Sequence, residues 1–480
     1  MSARELAGER LLGFDDDGEV FDRGDVIHRR IRARRRRDVA AVYGAYERAG
    51  LAARGIVETR LREDGDLEHR KLVASYPYEW PANMYKDAVL FHLGLLADLD
   101  AAGLTLKDAL PNNILFEHTS PVFVDFLSLV PKDRLGDAEW LGAGGYADPR
   151  FAVAAKMLLP YMVLPLLFMA RGEYRIARDL LSSRSCNCDG APPSWLELVT
   201  ARRPRRAWLD RDVRVLALAA KLLPVRMLSR RRRPAAFLPL VRGLVERVRR
   251  LEVTPPPSAY SSYYDEKKEE LSFDRPGEFL PKQKAVDEIL RAQAPATVLD
   301  LGANTGWYSV LAARRGAQVI ALEEDESCID ILYRRARRLG LRILPLKASF
   351  GELTREVPGA RSLVPQSGAA PLYRAGVRRL RADLVLVLGL LHHLVLGEGR
   401  SVDDVFDTLS ALAARTLVVE FVALDDEKVV DDPAFFPSLG RFDAATYGLD
   451  VVRAAGLKRF ARVSTHASHP ATRTFLVFER

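Results

Sequence analysis

The pattern of hydrophobic and polar positions divides the chain into two halves of different character. After residue 280, short apolar runs alternate with longer stretches of helical apolar spacing. The runs predict buried strands at 297–300, 318–323, 342–346, 383–388 and 416–420, with two further strands at 461–464 and 474–478. The intervening stretches predict helices at 281–293, 307–315, 326–339 and 402–414. Strands that are apolar on both faces and separated by helices indicate an α/β fold with a mostly parallel sheet covered on both faces.

Beyond residue 80 the first half carries mainly helical spacing. Helices are predicted at 84–101, 150–171, 173–181 and 211–228, and strands only at 55–60 and 70–76. The interpretation is a mostly helical accessory or substrate domain over residues 1–250. Three successive prolines at 255–257 stop any preceding helix, so residues 251–275 are interpreted as a linker or lid. Residues 276–480 then form the α/β domain.

Composition narrows the class of protein. The 480 residues are 48% hydrophobic and 28% charged, which is typical of a globular chain and excludes disordered and collagen-like classes. The net charge is +8, from 72 basic and 64 acidic residues, and the arginines cluster at 34–37, 202–206 and 230–233. No aromatic residues interleave with these clusters, so the pattern argues against a specific nucleic-acid partner.

Cellular context follows from cysteine usage and apolar runs. Cys186, Cys188 and Cys328 are too few for a disulfide framework, which favours a reducing compartment and a cytoplasmic protein. The amino terminus has no apolar core and does not resemble a secretory signal. Residues 158–169 are apolar but contain two prolines and fall short of the roughly 20 residues of a membrane span. A buried, kinked helix without a membrane partner is expected there.

The most informative segment follows the first predicted strand of the second half. Residues 297–308 read Thr-Val-Leu-Asp-Leu-Gly-Ala-Asn-Thr-Gly-Trp-Tyr, so a strand containing Asp300 leads through a glycine-rich turn into a helix. Gly302 permits a sharp turn and close approach of a ligand, and Gly306 permits close packing where the helix begins. Asn304 tolerates the left-handed conformation better than most residues. The amino terminus of the helix favours an anionic ligand group.

A second acidic residue indicates which kind of ligand would bind beside the loop. Glu323 closes the second predicted strand, where a carboxylate is suited to bind ribose hydroxyls. A dinucleotide would use the same geometry. However, Asp300 directly precedes the glycines, where it would repel a pyrophosphate and attract an amino group or a sulfonium. The pattern therefore favours S-adenosyl-L-methionine (SAM).

These residues resemble motif I of the class I SAM-dependent methyltransferases in its D-x-G-x-N-x-G form, and 382–394 resembles the strand-four motif of the same enzymes. The resemblance implies a Rossmann-like sheet of about seven strands with the last antiparallel, and SAM as cofactor. It also implies that the Gly302–Gly306 loop holds the methionine end, that Asp300 lies beside it and that Glu323 bridges the ribose. Leu388, at the end of strand four, is implied to contribute to the cofactor pocket.

The resemblance has one departure, after the third strand. Many relatives have an acid there that contacts the adenine amino group, whereas this chain has Ser349 and Phe350. We expect Ser349 to hydrogen-bond to the base and Phe350 to pack on it.

Candidate catalytic residues lie at the same predicted sheet edge. His392 and His393 follow strand four, where an acceptor would sit, and histidine is a suitable base at neutral pH. The alternative is structural, because one ring of a His-His-Leu segment in this family packs beneath the cofactor. Glu420 ends strand five and is a third candidate, again with a structural alternative. The sequence lacks the Asn/Asp-Pro-Pro-Tyr/Phe signature of nucleic-acid amine methylation, which favours a small-molecule or glycoconjugate acceptor.

The first half carries a second fingerprint at 105–127. Asp108 and Asn113 have the D-x4-N spacing of a kinase catalytic loop, and Asp125-Phe126 resembles the metal-binding Asp-Phe-Gly of kinases. The resemblance implies that Asn113 and Asp125 bind magnesium if this half binds ATP, with Lys71 as a candidate nucleotide-binding lysine.

The departures from kinases are a missing glycine-rich phosphate loop, a missing His-Arg before Asp108, and Leu127 in place of glycine. The alternative is a helical domain in which Asp108 and Asn113 order a turn.

Both halves taken in order look like the bacterial nodulation-protein-like methyltransferases along most of their length. The segments that carry this resemblance are 76–81, 106–109, 121–128, 300–306 and 390–394. The resemblance implies methyl transfer to an undefined acceptor. Two alternatives stay open: a bifunctional protein with an ATP-binding first half, and a SAM-binding interaction protein without turnover.

Overall fold

A computed structural model describes residues 9–11, 17–137, 148–181, 237–262, 273, 276–355, 374–431 and 433–480. Several sequence-based predictions lie outside these residues: the cysteines at 186 and 188, the arginine clusters at 202–206 and 230–233, and the helix at 211–228. The chain forms two compact units. The described parts of 1–78 and 82–254 form the first unit, and those of 79–81, 255–356 and 374–480 form the second.

The first unit begins with a five-stranded antiparallel sheet. Its strands are β1 (Glu9–Leu11), β2 (Gly18–Asp22), β3 (Val26–Ile31), β4 (Thr59–Leu61) and β5 (Leu67–Arg70), in the order β1-β2-β3-β5-β4. Helix α1 (Arg36–Arg48) lies between β3 and β4 in the chain and buries Val39, Val42 and Tyr46.

The sequence predicts strands in this part of the chain only at 55–60 and 70–76, so most of this sheet was not predicted. The strands are short and rich in charge, so they lack the apolar runs that reveal a strand. In β3, His28 and Ile31 are buried, while Arg29 and Arg30 form ion pairs with Asp125 and Glu19. Because charged residues in ion pairs occupy these positions, the hydrophobicity pattern alone does not predict the strand.

The rest of the first unit combines a long buried helix with two small ribbons. Helix α2 (Ala82–Ala101) is followed by β6 (Leu104–Leu106), β7 (Ile114–Glu117), β8 (Ser120–Phe123) and β9 (Leu129–Pro131). Strand β6 pairs with β9, and β7 pairs with β8, both antiparallel. Later helices are α3 (Arg150–Val153), a π-helical stretch (Ala154–Val163), α4 (Leu164–Met169), α5 (Tyr174–Leu181) and α6 (Phe237–Arg249).

The predicted buried apolar helix is present in the first unit as α3, the π-helical stretch and α4. Pro160 lies inside the π-helical stretch, where its missing N–H and its ring disturb regular α-helical bonding. By length and composition Arg150–Met169 would be able to cross a membrane, but 89% of its apolar window is buried within the protein. Those side chains belong to the interior of the unit.

The second unit contains a seven-stranded sheet. Its elements are α7 (Pro281–Gln293), β10 (Thr297–Leu301), α8 (Trp307–Arg314), β11 (Gln318–Glu323), α9 (Glu326–Leu339), β12 (Ile343–Lys347), α10 (Gly376–Arg379), β13 (Ala382–Val387), a π-helical turn (His393–Gly397), α11 (Val402–Leu412), β14 (Ala413–Val422), α12 (Glu427–Val430), α13 (Leu449–Leu457), β15 (Arg462–Ala467) and β16 (Arg473–Glu479). The strand order is β12-β11-β10-β13-β14-β16-β15.

The register of this sheet sets where functional side chains meet. Strands β10 to β14 are parallel, whereas β16 runs antiparallel to both β14 and β15. Strand β10 lies between β11 and β13, so the chain leaves its carboxyl end at the point where the strand order reverses. Ligands of open α/β sheets bind at such switch points. This part of the chain is α/β, as the apolar pattern predicts.

Candidate cofactor site

The glycine loop turns back over the neighbouring strand. The backbone N–H groups of Gly302 and Ala303 both donate to the carbonyl of Leu322, at 2.9 and 3.0 Å. Gly302, Asn304 and Gly306 have φ angles of +71°, +53° and +85°. The loop therefore uses the left-handed region three times in five residues, which explains its two glycines and its asparagine.

Gly306 is required for packing as well as for conformation. A Cβ atom at this position would lie 2.2 Å from Cδ1 of Leu332. The atoms nearest a Cβ at Gly302 belong to the Leu390 side chain, at an ordinary 3.5 Å. Gly306 thus lets α8 begin directly against α9, whereas Gly302 leaves room above the loop.

Asp300 lies almost completely buried at the end of β10. The hydroxyl of Ser309, in the first turn of α8, donates to Asp300 Oδ2 at 2.6 Å. The pKa of Asp300 is raised to about 6, mainly by burial and in part by the nearby Glu323 carboxyl, while the Ser309 hydrogen bond and the Lys282 charge oppose the rise. A carboxyl group that is costly to ionise would be stabilised as a carboxylate by a cationic ligand.

Glu323 holds the loop from the end of β11. Its Oε2 accepts from the backbone N–H of Asn304 at 2.8 Å, and its Oε1 accepts from the N–H of Asp325 at 2.9 Å. Burial raises the pKa of Glu323. Two backbone bonds fix the carboxylate, and its remaining lone pairs can accept from ribose hydroxyls.

The segment before residue 263 also reaches this loop. The Asn304 side-chain amide donates to the carbonyl of Tyr260 at 3.2 Å. This contact joins part of the predicted linker or lid to the loop, within the second unit.

The residues predicted to bind adenine have partners of their own. Both the backbone N–H and the hydroxyl of Ser349 donate to Glu352, so this serine forms a capping box at a short helical turn. Phe350 is buried, and the Arg400 guanidinium lies 5.5 Å from its ring centroid. The base-binding roles of both residues stay predictions.

The two histidines differ in exposure. His392 is 5% exposed, and its Nδ1 has no hydrogen-bond partner among the described residues. Burial, followed by the charge of the adjacent His393, holds the pKa of His392 well below its usual range, and burial also lowers the pKa of His393. The two ring centroids are 4.3 Å apart, and both rings lie near Phe436. A neutral imidazole can accept a proton, but a lowered pKa makes it a weaker base, so the catalytic role of the two histidines stays a prediction.

Glu420 is part of a buried ion pair that the sequence does not reveal. Its side chain has no solvent exposure, Lys282 Nζ lies 2.7 Å from Oε2, and the Ser468 hydroxyl donates to Oε1 at 2.9 Å. Both carboxylate oxygens therefore have partners. The catalytic role predicted for Glu420 stays a prediction, and these contacts favour an action through Lys282.

Sequence patterns did not predict four residues that contact the candidate site residues. They are Lys282, Ser309 and Ser468 in the second unit and Arg29 in the first. Lys282 and Ser468 lie 138 and 48 residues from Glu420, and no local pattern links such positions. Ser309 carried a usable signal, because the first turn of a helix after a glycine loop faces the preceding strand. Leu388, which was predicted, packs partly buried against the main hydrophobic cluster.

In the first unit, the kinase-like residues lie together. Arg29 Nη1 donates to Asp125 Oδ1 at 2.7 Å, and the Asn113 amide donates to the Asp108 carbonyl at 3.4 Å. Burial raises the pKa of Asp108 to about 6, and Asp125 contributes to the rise. Lys71 instead forms an ion pair with Asp22, and Arg29 is the cation that pairs with Asp125.

No protein-only metal site is evident in the part of the chain that the structure describes. It contains no group of three or more His, Cys, Asp or Glu side chains placed to hold an ion.

Comparison with known proteins gives one sequence relative. No family model matches the chain. The chain is 28% identical over 421 residues to the nodulation protein NoeA of Rhizobium meliloti, covering 85% of this chain and 80% of that protein. The similarity therefore includes both units.

Solved structures that match include several methyltransferases. A magnesium protoporphyrin IX methyltransferase from Synechocystis with bound SAH is 16% identical at a TM-score of 0.27, covering 46% of this chain and 98% of that one. The bifunctional kinase-methyltransferase WbdD is 17% identical at 0.30, covering 45% and 42%. An O-methyltransferase family protein from Burkholderia thailandensis is 16% identical at 0.29, covering 46% and 59%. The chain spans less than two thirds of the last two, and at these TM-scores the likenesses carry no argument about it.

Proposed function

We propose that the chain is a SAM-dependent methyltransferase whose acceptor is a small molecule or a glycoconjugate. The observation that carries the proposal is the loop Gly302–Gly306, folded over β11 at the switch point of the sheet and tied to Glu323 by the Asn304 N–H. The buried acid Asp300 before this loop suits a cationic ligand better than a pyrophosphate.

The residues present fit this cofactor. Asp300 supplies a carboxyl group that a cation would stabilise, Glu323 supplies acceptors for hydroxyls, and Gly302 leaves the loop open for close approach. When bound, SAM supplies the activated methyl group. The protein then contributes mainly by orienting the acceptor in line with the transferring bond and by excluding water. His392, kept neutral by burial, is the candidate base for an acceptor that must lose a proton.

Calorimetry with S-adenosylhomocysteine (SAH) tests the proposal. We expect the full chain to bind SAH and Gly302→Asp to abolish binding, because the new carboxylate would occupy the space above the loop beside Leu390. Gly316→Asp is the matched control, since Gly316 also has a positive φ but would have no neighbour within 4 Å of its Cβ. Absence of SAH binding by the intact chain, or equal binding by both variants, would contradict the assignment.

Binding without turnover is the alternative for the same site. Incubation of the full chain with methyl-labelled SAM and fractions of a bacterial extract separates the two. Label in any product other than the cofactor supports the enzyme, and SAH binding with no transfer to any fraction supports an interaction protein.

A second function, ATP binding by the first unit, is favoured by one specific observation. The strand order β1-β2-β3-β5-β4, with α1 inserted after β3, is followed by two ribbons that bring Asp108, Asn113 and Asp125 together. Because Asp125 raises the pKa of Asp108, a divalent cation between them would relieve the repulsion. Asn113 and Asp125 would hold magnesium, and Arg29 would take the place of the expected lysine.

Thermal unfolding with and without ATP and magnesium tests this second function. We expect ATP with magnesium to raise the unfolding temperature of the native chain and Asp125→Asn to remove the shift. An unchanged unfolding temperature of the native chain would exclude nucleotide binding at this unit.

A further inference from the structure

The amino-terminal turn of α7 places a cation at the methyl-transfer edge of the sheet. Lys282 is the second residue of this helix, and its ammonium forms an ion pair with Glu420 at 2.7 Å. Glu420 has no solvent exposure, whereas the Lys282 side chain is 21% exposed. A buried charge needs its partner, so the pair fixes the ammonium in place.

Two further contacts hold the pair. Ser468 donates to the second oxygen of Glu420 at 2.9 Å, which satisfies the carboxylate without displacing Lys282. The Lys282 ammonium also lies 5.6 Å from the ring centroid of Tyr308, in the range of a cation–π contact. A lysine with this many partners has lost the flexibility of an ordinary surface lysine.

The Lys282 ammonium lies at the sheet edge where we expect the methyl acceptor to bind. A Cβ built on Gly389, just after β13, would lie 3.7 Å from Glu420 Oε2, so the pair borders the segment that leads to the histidines. The charge of Lys282 lowers the pKa of both Asp300 and His392. The charge of the ammonium therefore acts on both the acid before the cofactor loop and the candidate base.

We propose that Lys282 binds the nucleophilic oxygen of the acceptor, and that the acceptor is a carboxylate or a similarly acidic oxygen rather than an amine. This inference rests on the proposed methyltransferase function. Glu420 engages one of the three ammonium N–H donors, which leaves donors for an oxygen. An amine would gain positive charge on methylation beside a fixed ammonium, which is unfavourable, whereas an oxyanion loses its charge in the same step.

The step balances without a base. A lone pair of the ionised acceptor oxygen forms the new O–CH3 bond while the S–CH3 bond breaks, and that electron pair stays on sulfur as a neutral thioether. Positive sulfonium and negative oxygen cancel, so no proton moves. Lys282 keeps its proton and its bond to Glu420 throughout.

Two probes of the same shape and opposite charge test the inference. Binding of benzoate and of benzylamine to the SAH-saturated full chain is measured by ligand-observed NMR. We expect benzoate to bind and benzylamine not to bind, with benzoate affinity reduced at least about tenfold in Lys282→Met. Lys284→Met is the matched control, because Lys284 is exposed on the same helical turn and should leave benzoate binding unchanged.

The outcomes separate this inference from the function beneath it. Equal binding of the two probes to the native chain, no benzoate binding, or unchanged benzoate binding in Lys282→Met overturns the role of Lys282. SAH binding by the native chain, measured first, tests the methyltransferase site independently. If Lys282→Met does not fold, the double variant Lys282→Met with Glu420→Gln removes both charges of the pair and gives the same comparison.

Discussion

The ionisation of the Asp300 carboxyl group depends on the charge of the ligand that binds at the loop. Asp300 is 2% exposed, and its pKa is raised to about 6 chiefly by burial and then by Glu323. In the unfolded chain the same group would titrate near 3.8. Burying this acid therefore costs stability once it is ionised, and a nearby positive charge would recover part of that cost.

The sign of the effect gives a prediction for pH. Between about pH 4 and 6 the folded chain holds a proton on Asp300 that the unfolded chain has lost, so stability falls as pH rises through this window. The α-ammonium group of SAH beside Asp300 would favour the carboxylate, so we expect SAH affinity to increase as pH rises from 5 to 7. Calorimetry at pH 6 in buffers of different ionisation enthalpy should detect proton release on binding. Asp300→Asn should remove both the release and the pH dependence.

Gly306 gives a prediction that separates backbone strain from packing. Gly306→Ala should destabilise the second unit because of its φ of +85° and because the new methyl group would overlap Leu332. Gly316→Ala is the control, with a φ of +98° and open space around it. Strain alone costs roughly 1–2 kcal/mol at each site.

The overlap adds about 1–3 kcal/mol at Gly306 only. Urea unfolding monitored in the second unit should show this difference in free energy between the two alanine variants. Equal losses would mean that Leu332 repacks freely and that α8 does not depend on the close approach.

Among the elements, the junction of β14, α12 and β16 depends on one buried acid. Asp426 caps α12 and accepts two bonds from Arg473, both at 2.8 Å, and one from Thr472 at 2.6 Å. Burial alone would raise the pKa of Asp426, but the bonds from Arg473 and Thr472 hold it well below its usual range. The first turn after β14 is thereby fixed to the start of β16.

Breaking this junction should be costly. Arg473→Met would leave the fully buried Asp426 carboxylate without its cation, which typically costs about 3–5 kcal/mol. Lys458→Met, which breaks an exposed ion pair with Asp403, should cost about 0–1 kcal/mol. Because the pKa of Asp426 is lowered, its contribution is present above about pH 4 and is lost as pH falls below that value. Urea midpoints at pH 7 and pH 3 should therefore differ less in Asp426→Asn than in the native chain.

The helices and strands of the two units differ in how well the sequence predicts them. In the second unit the helices at 281–293 and 326–339 and the strand at 318–323 have the predicted bounds, because doubly buried strands and amphipathic helices leave strong apolar periods. In the first unit the strands are three to six residues long and carry paired charges, so the same rule predicts too few of them.

The candidate cofactor site likewise contains residues that the sequence predicts and residues that it does not. The loop residues are contiguous and were predictable from turn chemistry, including the left-handed Asn304. Lys282, Glu420 and Ser468 meet only because the sheet order brings α7, β14 and the β15–β16 connection together. Contacts that depend on topology have no local signature, so a single sequence contains no direct sign of them.

At the scale of the whole molecule, the chain consists of two units with different candidate chemistry. The first unit holds Asp108 and Asp125, and the second holds the loop from Gly302 to Gly306. Each unit has its own buried interior, including α2 in the first and the β10–β14 strands in the second. The similarity to a nodulation protein covers 85% of the chain, so both units are common to the two proteins.

Separate units predict separate unfolding transitions. Differential scanning calorimetry of the full chain should show two transitions, since each unit has its own core. SAH at about 100 times its dissociation constant should stabilise only one of them, by roughly 2.7 kcal/mol, because a ligand stabilises the unit that binds it. Gly306→Ala should lower that same transition and leave the other in place. A single transition, or two transitions that SAH shifts equally, would show instead that the two units unfold as one cooperative body.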